Sequence, residues 1–230
     1  SQWVELGGQI LPHRITSIRA LHPGEDIRKS LRVQSLQRAL RRAEKSNLRF
    51  REITKVSGSW AKFYEMFLHT RRRLGVPAYP WAFFKALKQH GAGGPSVHLL
   101  AVEQDNRILA GLVLLCTEEL ALYSFGASYT NSLKLRPNDF LFWKALQWCV
   151  DRGLQRFDFG ADNCNQKGLL RFKRKWGTET VPAYEAVWRF KGSELCPTIT
   201  ASDSRISRWL HRKAPLCTLR LESKLIRWLI

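Results

Sequence analysis

Three apolar runs separated by very short turns constrain this chain more than any other feature. They cover residues 97–103, 108–116 and 120–126. The middle run, Ile-Leu-Ala-Gly-Leu-Val-Leu-Leu-Cys, is unbroken by any polar residue. Nine residues are too few to cross a bilayer as a helix. They are the right length for a strand covered on both faces. Asp105-Asn106 and Thr117-Glu118-Glu119 supply the turns between runs. Three consecutive strands with such connections predict an antiparallel meander that needs helices on both sides.

The flanking sequence supplies those helices. Residues 1–24 read as irregular, broken by Gly7-Gly8, Pro12 and Pro23-Gly24, with a short strand at 3–6. A single basic helix is predicted over 25–46, and the alternation in 48–54 predicts a strand. Trp60, Phe63, Tyr64 and Phe67 fall at helical spacing in a helix over 60–74 that Gly75 ends. A second helix runs to residue 90. Pro137-Asn138 opens a largely buried helix to residue 152, with Gly153 behind it. A strand at 156–160, a helix at 165–176 and a strand at 180–190 complete the order. The expected fold is α/β, a mixed, largely antiparallel sheet flanked by helices. The 230 residues suffice for one sizeable core.

Charge then narrows the partners. The chain carries 38 Lys+Arg against 19 Asp+Glu, a formal net charge of +19. With 12 Phe, 9 Trp and 5 Tyr it is too aromatic for a disordered basic tail, and 15 Gly with 9 Pro exclude a collagen-like chain. An anionic partner is implied: nucleic acid, a phosphorylated substrate or an acidic membrane surface. The five cysteines are widely spaced and form no CxxC, so reduced, mostly buried thiols are expected and no metal site. The chain begins at Ser1 without a signal segment. We read it as a piece of a longer chain, soluble or peripheral to the inner membrane on its cytoplasmic side. In the tail, residues 196–230, seven Lys/Arg face two Asp/Glu, and Leu219, Leu225, Ile226 and Leu229 oppose Arg220, Lys224 and Arg227. That is a basic amphipathic helix, suited either to docking on the domain or to contact with an anionic membrane through 205–230.

Several chemistries leave no trace. GxxxxGK[ST], HExxH, GxSxG and a strand–GxGxxG–helix unit are all missing from the sequence. Three features remain. Arg38, Arg42 and Lys45 share one helical face, which can hold phosphates bidentately or simply be solvated. In Phe157-Asp158-Phe159-Gly160-Ala161-Asp162, a strand ends in a glycine that lets backbone approach a ligand. Asp158 there could orient a nucleophile or a cation, or be neutralised by nearby basic groups. In 168–177, Leu169, Phe172 and Trp176 form an apolar face with Lys167, Arg171, Arg174 and Lys175 opposite. Lys173 flanks the apolar face, where its ammonium would stabilise an oxyanion, bind a phosphate or snorkel to water.

These features recur in five ordered motifs: Arg38-x-x-Arg41-Arg42-Ala43-Glu44-Lys45, Thr70-Arg71-Arg72-x-x-Gly75, Pro137-Asn138-x-x-x-x-Trp143, Phe157-Asp158-Phe159-Gly160 and Phe172-Lys173-x-x-Trp176-Gly177. In that order the chain resembles the FemAB/FemX-like branch of the GNAT acyltransferase superfamily over about residues 36–190. The resemblance implies a GNAT-like lobe at 36–192, a remnant of a preceding lobe or linker at 1–35, and a helical tail at 193–230. It implies aminoacyl or acyl transfer onto an amine of a cell-envelope, peptidoglycan or exopolysaccharide-related acceptor. The donor would be aminoacyl-tRNA or acyl-CoA, with no tightly bound cofactor. The helix from Asn138 stands where ordinary GNAT enzymes bind pyrophosphate, but their Q/RxxGxG/A is missing here. By this resemblance Lys173 stabilises the oxyanion or holds the donor's terminal phosphate-ribose. Arg38, with Arg41 or Arg42, binds an acceptor's phosphates. Asp158 and Tyr129 line the cleft, and Asn138, Gly160, Arg171 and Phe172 contact substrate. The competing expectation is a non-catalytic basic module that binds RNA or an anionic membrane surface.

Overall fold

The computed structural model describes residues 9–89, 96–163, 165–187 and 211–220. The meander is its centre: β3 (Ser96–Gln104), β4 (Arg107–Cys116) and β5 (Leu120–Ser128) pair antiparallel in sequence order. Asp105 and Asn106 both take positive φ, 49° and 61°, as a tight hairpin between right-twisted strands requires. Around them a seven-stranded sheet forms in the order β2-β3-β4-β5-β6-β1-β7, with β1 (Gln9–Ala20), β2 (Arg49–Glu52), β6 (Arg156–Asp162) and β7 (Glu179–Val187). Only the β5–β6 contact is parallel.

The apolar runs are explained by two cores, one on each face of the sheet. Leu100, Val102, Leu112 and Leu114 face α1 (Ile27–Ser30), α2 (Gln34–Glu44) and the buried α5 (Pro137–Asp151). Leu99, Ala101 and Val113 face α3 (Ser59–Leu74) and α4 (Trp81–Gln89). Alternate side chains enter opposite cores, so every position is apolar. Gly75 ends α3 with φ 73°, as expected.

Three expectations are corrected. Residues 9–20, expected to be irregular, form β1 between β6 and β7. Its buried positions, Ser17 and Arg19, are polar, so no apolar alternation marks the strand. Pro12 is tolerated because it lies beyond the β6 register, which begins at Ile15, and beside an irregularity in the β7 register. The single helix over 25–46 is two. Asp26 caps α1 by accepting from the Lys29 N–H, and Leu31 and Val33 are extended. Gln37 bridges the break by donating to the Leu31 carbonyl while Arg28 donates to Gln37. Finally, α6 (Lys167–Arg174) buries Leu170 and Lys173, whereas Leu169 is 40% exposed. Trp176 is buried and Phe172 packs on the core as expected, so Leu170 takes the inward place expected of Leu169.

The expected strand at 3–6 and most of the tail lie outside the described residues. Within 211–220, Leu219 is buried and Leu216 packs on the α3/α4 core, while Arg72 donates to the Arg212 carbonyl at 3.4 Å. This part of the tail docks on the domain. Cys116 and Cys149 are buried and Cys217 is exposed. Among the described residues no helix is long and apolar enough to cross a membrane, and no group of three or more His, Cys, Asp or Glu is placed to hold a metal ion.

Candidate active site

The site arises where two parallel strands separate. β5 and β6 pair only at Leu120–Arg156, Ala121–Phe157 and Leu122–Asp158. Immediately beyond, both strands bulge. The β4–β5 register shifts between Val113 and Leu114, leaving Ser124 of β5 without an opposite residue. The β1–β6 register shifts so that Phe159 and Gly160 together oppose Ser17. A bulge bends its strand and sharpens its twist, and two bulges past the last shared pair splay β5 from β6.

The gap holds a cavity of about 230 Å³ lined by Tyr123, Gly126 and Ser128 of β5, Asn138 and Phe142 of α5, Phe159 of β6, and Leu169, Phe172 and Lys173 of α6. Its wall is largely apolar: Phe142 stacks on Phe159 at 5.3 Å and meets Phe172 at 5.6 Å. The tip of β5 is fixed from both faces. Thr70 of α3 donates to the Ser128 carbonyl at 3.2 Å and accepts from the Ser128 N–H at 3.0 Å. Asn138 donates to the Ser128 hydroxyl at 3.2 Å.

Lys173 is the one basic side chain in this wall, and it is 3% exposed. Its Nζ donates to the Gly160 carbonyl at 2.6 Å and forms an ion pair with Asp162 Oδ2 at 2.6 Å. An ammonium has three N–H donors. Gly160 takes one and Asp162 lies against a second, which leaves a third uncommitted among the described residues on a side chain that lines the cavity. The bulge explains the partner. Strict alternation would put Asp162 on the face of Asp158, but the extra residue at Gly160, with φ 80°, moves it to the buried face of Phe157 and Phe159.

The other candidates separate into groups. Asn138 and Phe172 line the cavity, and Gly160 acts through its carbonyl. Asp158 does not line it. Its carboxylate accepts from Thr16 Oγ1 of β1 at 2.5 Å and from the Gly160 N–H at 2.7 Å, which fixes the bulge. Arg171 is exposed and outside the lining. Tyr129, one residue past β5, lines a separate cavity of about 330 Å³ with Ser59, Lys62 and Glu65. Burial raises its hydroxyl pKa, and Glu65 adds to the rise. Arg38 and Arg42 line a third depression of about 260 Å³ with Ser35, Ala39 and Arg136. Arg41 is exposed on the same helix but outside that depression. Arg136 has φ 60° and sits at the N-cap of α5, two residues before Asn138, so the arginine cluster and the cavity share one loop. Asp162, Tyr123, Ser128 and Arg136 were not singled out from the sequence. Asp162 lay inside a quoted motif, yet only the bulge reveals its side.

A family profile for the acetyltransferase (GNAT) domain matches residues 30–174. A lipid II:glycine glycyltransferase of Staphylococcus epidermidis is 29% identical over 129 residues, which is 48% of this chain and 30% of that relative's own length. The crystal structure of FemX superposes with a TM-score of 0.63 at 15% identity, covering 73% of this chain and 59% of FemX. The C-terminal domain of an Agrobacterium fabrum protein assigned as a lysylphosphatidylglycerol synthetase gives 0.59 at 16% identity, covering 82% and 64%. At these identities the two structures speak to the fold.

Proposed function

This chain belongs to the acetyltransferase (GNAT) domain family, on its FemAB/FemX-like branch, and from that premise we propose that it transfers an aminoacyl or acyl group onto an amine of a cell-envelope acceptor. The observation that carries the reading is Lys173, buried and held by Asp162 and Gly160 at the wall of the splayed β5–β6 gap with a donor left for a ligand. In acyl transfer the amine nitrogen attacks the carbonyl carbon, and the C=O π pair moves onto oxygen. The free Lys173 N–H stabilises that oxyanion in a site walled by aromatic rings, where such a contact counts for more than in water. Collapse re-forms the carbonyl and expels the donor's ester oxygen or thiolate, which takes the proton the amine loses.

The acceptor we favour is a lipid-linked peptidoglycan precursor, in line with the name of the Staphylococcus epidermidis relative. Its phosphates, or those of an aminoacyl-tRNA or acyl-CoA donor, would lie against Arg38, Arg42 and Arg136. Such an acceptor would bring the chain to the membrane surface. The reading as a non-catalytic basic module has no support among the relatives.

The test is mass spectrometry of a lipid II acceptor incubated with the protein and either glycyl-tRNA or acetyl-CoA. Transfer by wild type that Lys173→Ala abolishes is the expected result, and the active donor identifies its class. No transfer with either donor, or wild-type turnover by Lys173→Ala, would overturn the reading.

A further inference from the structure

We infer that the Tyr123 hydroxyl is a second hydrogen-bond donor to the transferred carbonyl oxygen, beside Lys173, and that Gly126 is what allows it to be there. The inference rests on the acyl-transfer reading and adds a group to its reaction centre.

Tyr123 directly follows Leu122, the last residue of β5 paired with β6, so it is the first to border the open gap. Its ring meets Phe142 of α5 edge-on at 5.1 Å and 68°. It also lies against the backbone of Gly126. A Cβ at position 126 would come within 2.1 Å of the Tyr123 hydroxyl oxygen and 3.0 Å of the ring carbon bearing it. No Cβ fits there unless the Tyr123 ring moves, so the hydroxyl occupies the volume that glycine leaves vacant.

The hydroxyl is therefore set by packing and not by a hydrogen bond. Among the described residues it has no hydrogen-bond partner, although Tyr123 lines the same cavity as Lys173. Burial, with the charge of Asp162 adding to it, pushes the phenol up to about 12. Through the neutral range it keeps its proton and acts as a donor. An oxyanion forming in the cavity would meet a cationic N–H and a neutral O–H, neither of which must reorganise when charge develops. No proton changes hands in this role. The phenol shares its hydrogen with the oxyanion and recovers it when the carbonyl re-forms.

Tyr123→Phe removes the O–H alone. Beside Lys173→Ala in the transfer assay, it should lower kcat about 100-fold or more with KM little changed, the signature of a contact made in the transition state. Gly126→Ala, which keeps the hydroxyl but pushes it away, should lower kcat in the same direction. Tyr123→Phe is to melt like wild type, and Lys173→Ala, which also breaks the buried pair with Asp162, is assayed at a temperature where circular dichroism shows it folded. Wild-type kcat in Tyr123→Phe, in a preparation where Lys173→Ala is inactive, would overturn the Tyr123 role and leave the acyl-transfer reading standing. A Tyr123→Phe protein that fails to fold would also overturn it, because the hydroxyl would then be shown to serve the fold and not the transferred oxygen. Failure of wild type to transfer would remove both.

Discussion

Lys173 Nζ and Asp162 Oδ2 lie 2.6 Å apart, with side chains only 4% and 7% exposed. The pair joins α6 to the end of β6 across the β-bulge at Gly160. It is the one ion pair between described residues in which both side chains are nearly excluded from water.

Breaking one side of this pair should cost more than removing both. Lys173→Met leaves a buried carboxylate unpaired, at about 3–5 kcal/mol. The double variant Lys173→Met/Asp162→Asn should recover much of that loss. Urea unfolding of wild type, both single variants and the double variant measures the coupling. Additive losses would show that the pair does not interact.

The arginine cluster predicts a binding effect without a chemical one. If Arg38, Arg42 and Arg136 hold phosphates beside the cavity, Arg42→Ala or Arg136→Ala should raise KM for the phosphate-bearing substrate about 10- to 100-fold, the worth of a charge-assisted contact. The kcat should stay near that of wild type. Steady-state kinetics at two salt concentrations checks this, because the variants should also be less sensitive to salt.

Docking of the tail predicts a stability effect. Leu219 is 1% exposed against the domain. Leu219→Ala should destabilise the protein by about 2–5 kcal/mol, as large-to-small changes at buried sites do. Thermal unfolding of the full chain reads the loss, and an unchanged Tm would mean that this segment contributes nothing to the fold.

A surface network predicts acid sensitivity. Burial alone would raise the pKa of Glu52, but hydrogen bonding to His98, with Thr54 and the Arg152 charge, holds it below 4.5. His98 Nδ1 lies 2.8 Å and Arg152 Nη2 3.0 Å from its carboxylate. A group depressed in the folded state contributes stability above its unfolded pKa and loses it as pH falls through the folded value. Stability should therefore decline below about pH 4.5, and Glu52→Gln should flatten that decline in pH-dependent urea titrations.

The elements whose burial is apolar were legible in order. The meander at 97–126, the α3 aromatics and the Pro137–Gly153 helix were all marked by residues whose chemistry acts locally: apolar runs, a turn pair with positive φ, a proline at the first helical turn, a glycine at the end. β1 was not legible, because its inward positions are Ser17 and Arg19. The Arg19 terminal nitrogens donate to Glu25, Ser30 and the Trp176 carbonyl, groups brought to it by other parts of the fold. The lysine of the site could be picked out for its place beside an apolar helix face. Its carboxylate could not.

Read alone, the chain specifies the mixed sheet, most of the succession of elements around it and the basic and aromatic motifs from which the site residues come. Local periodicity and turn chemistry suffice for that. Which side chains meet is settled across the folded sheet. One extra residue in β6 reverses the face of Asp162, one in β5 helps to open the cavity, and the missing Cβ of Gly126 sets the Tyr123 hydroxyl. Each is a matter of register between strands distant in sequence, and register is fixed by packing across the sheet.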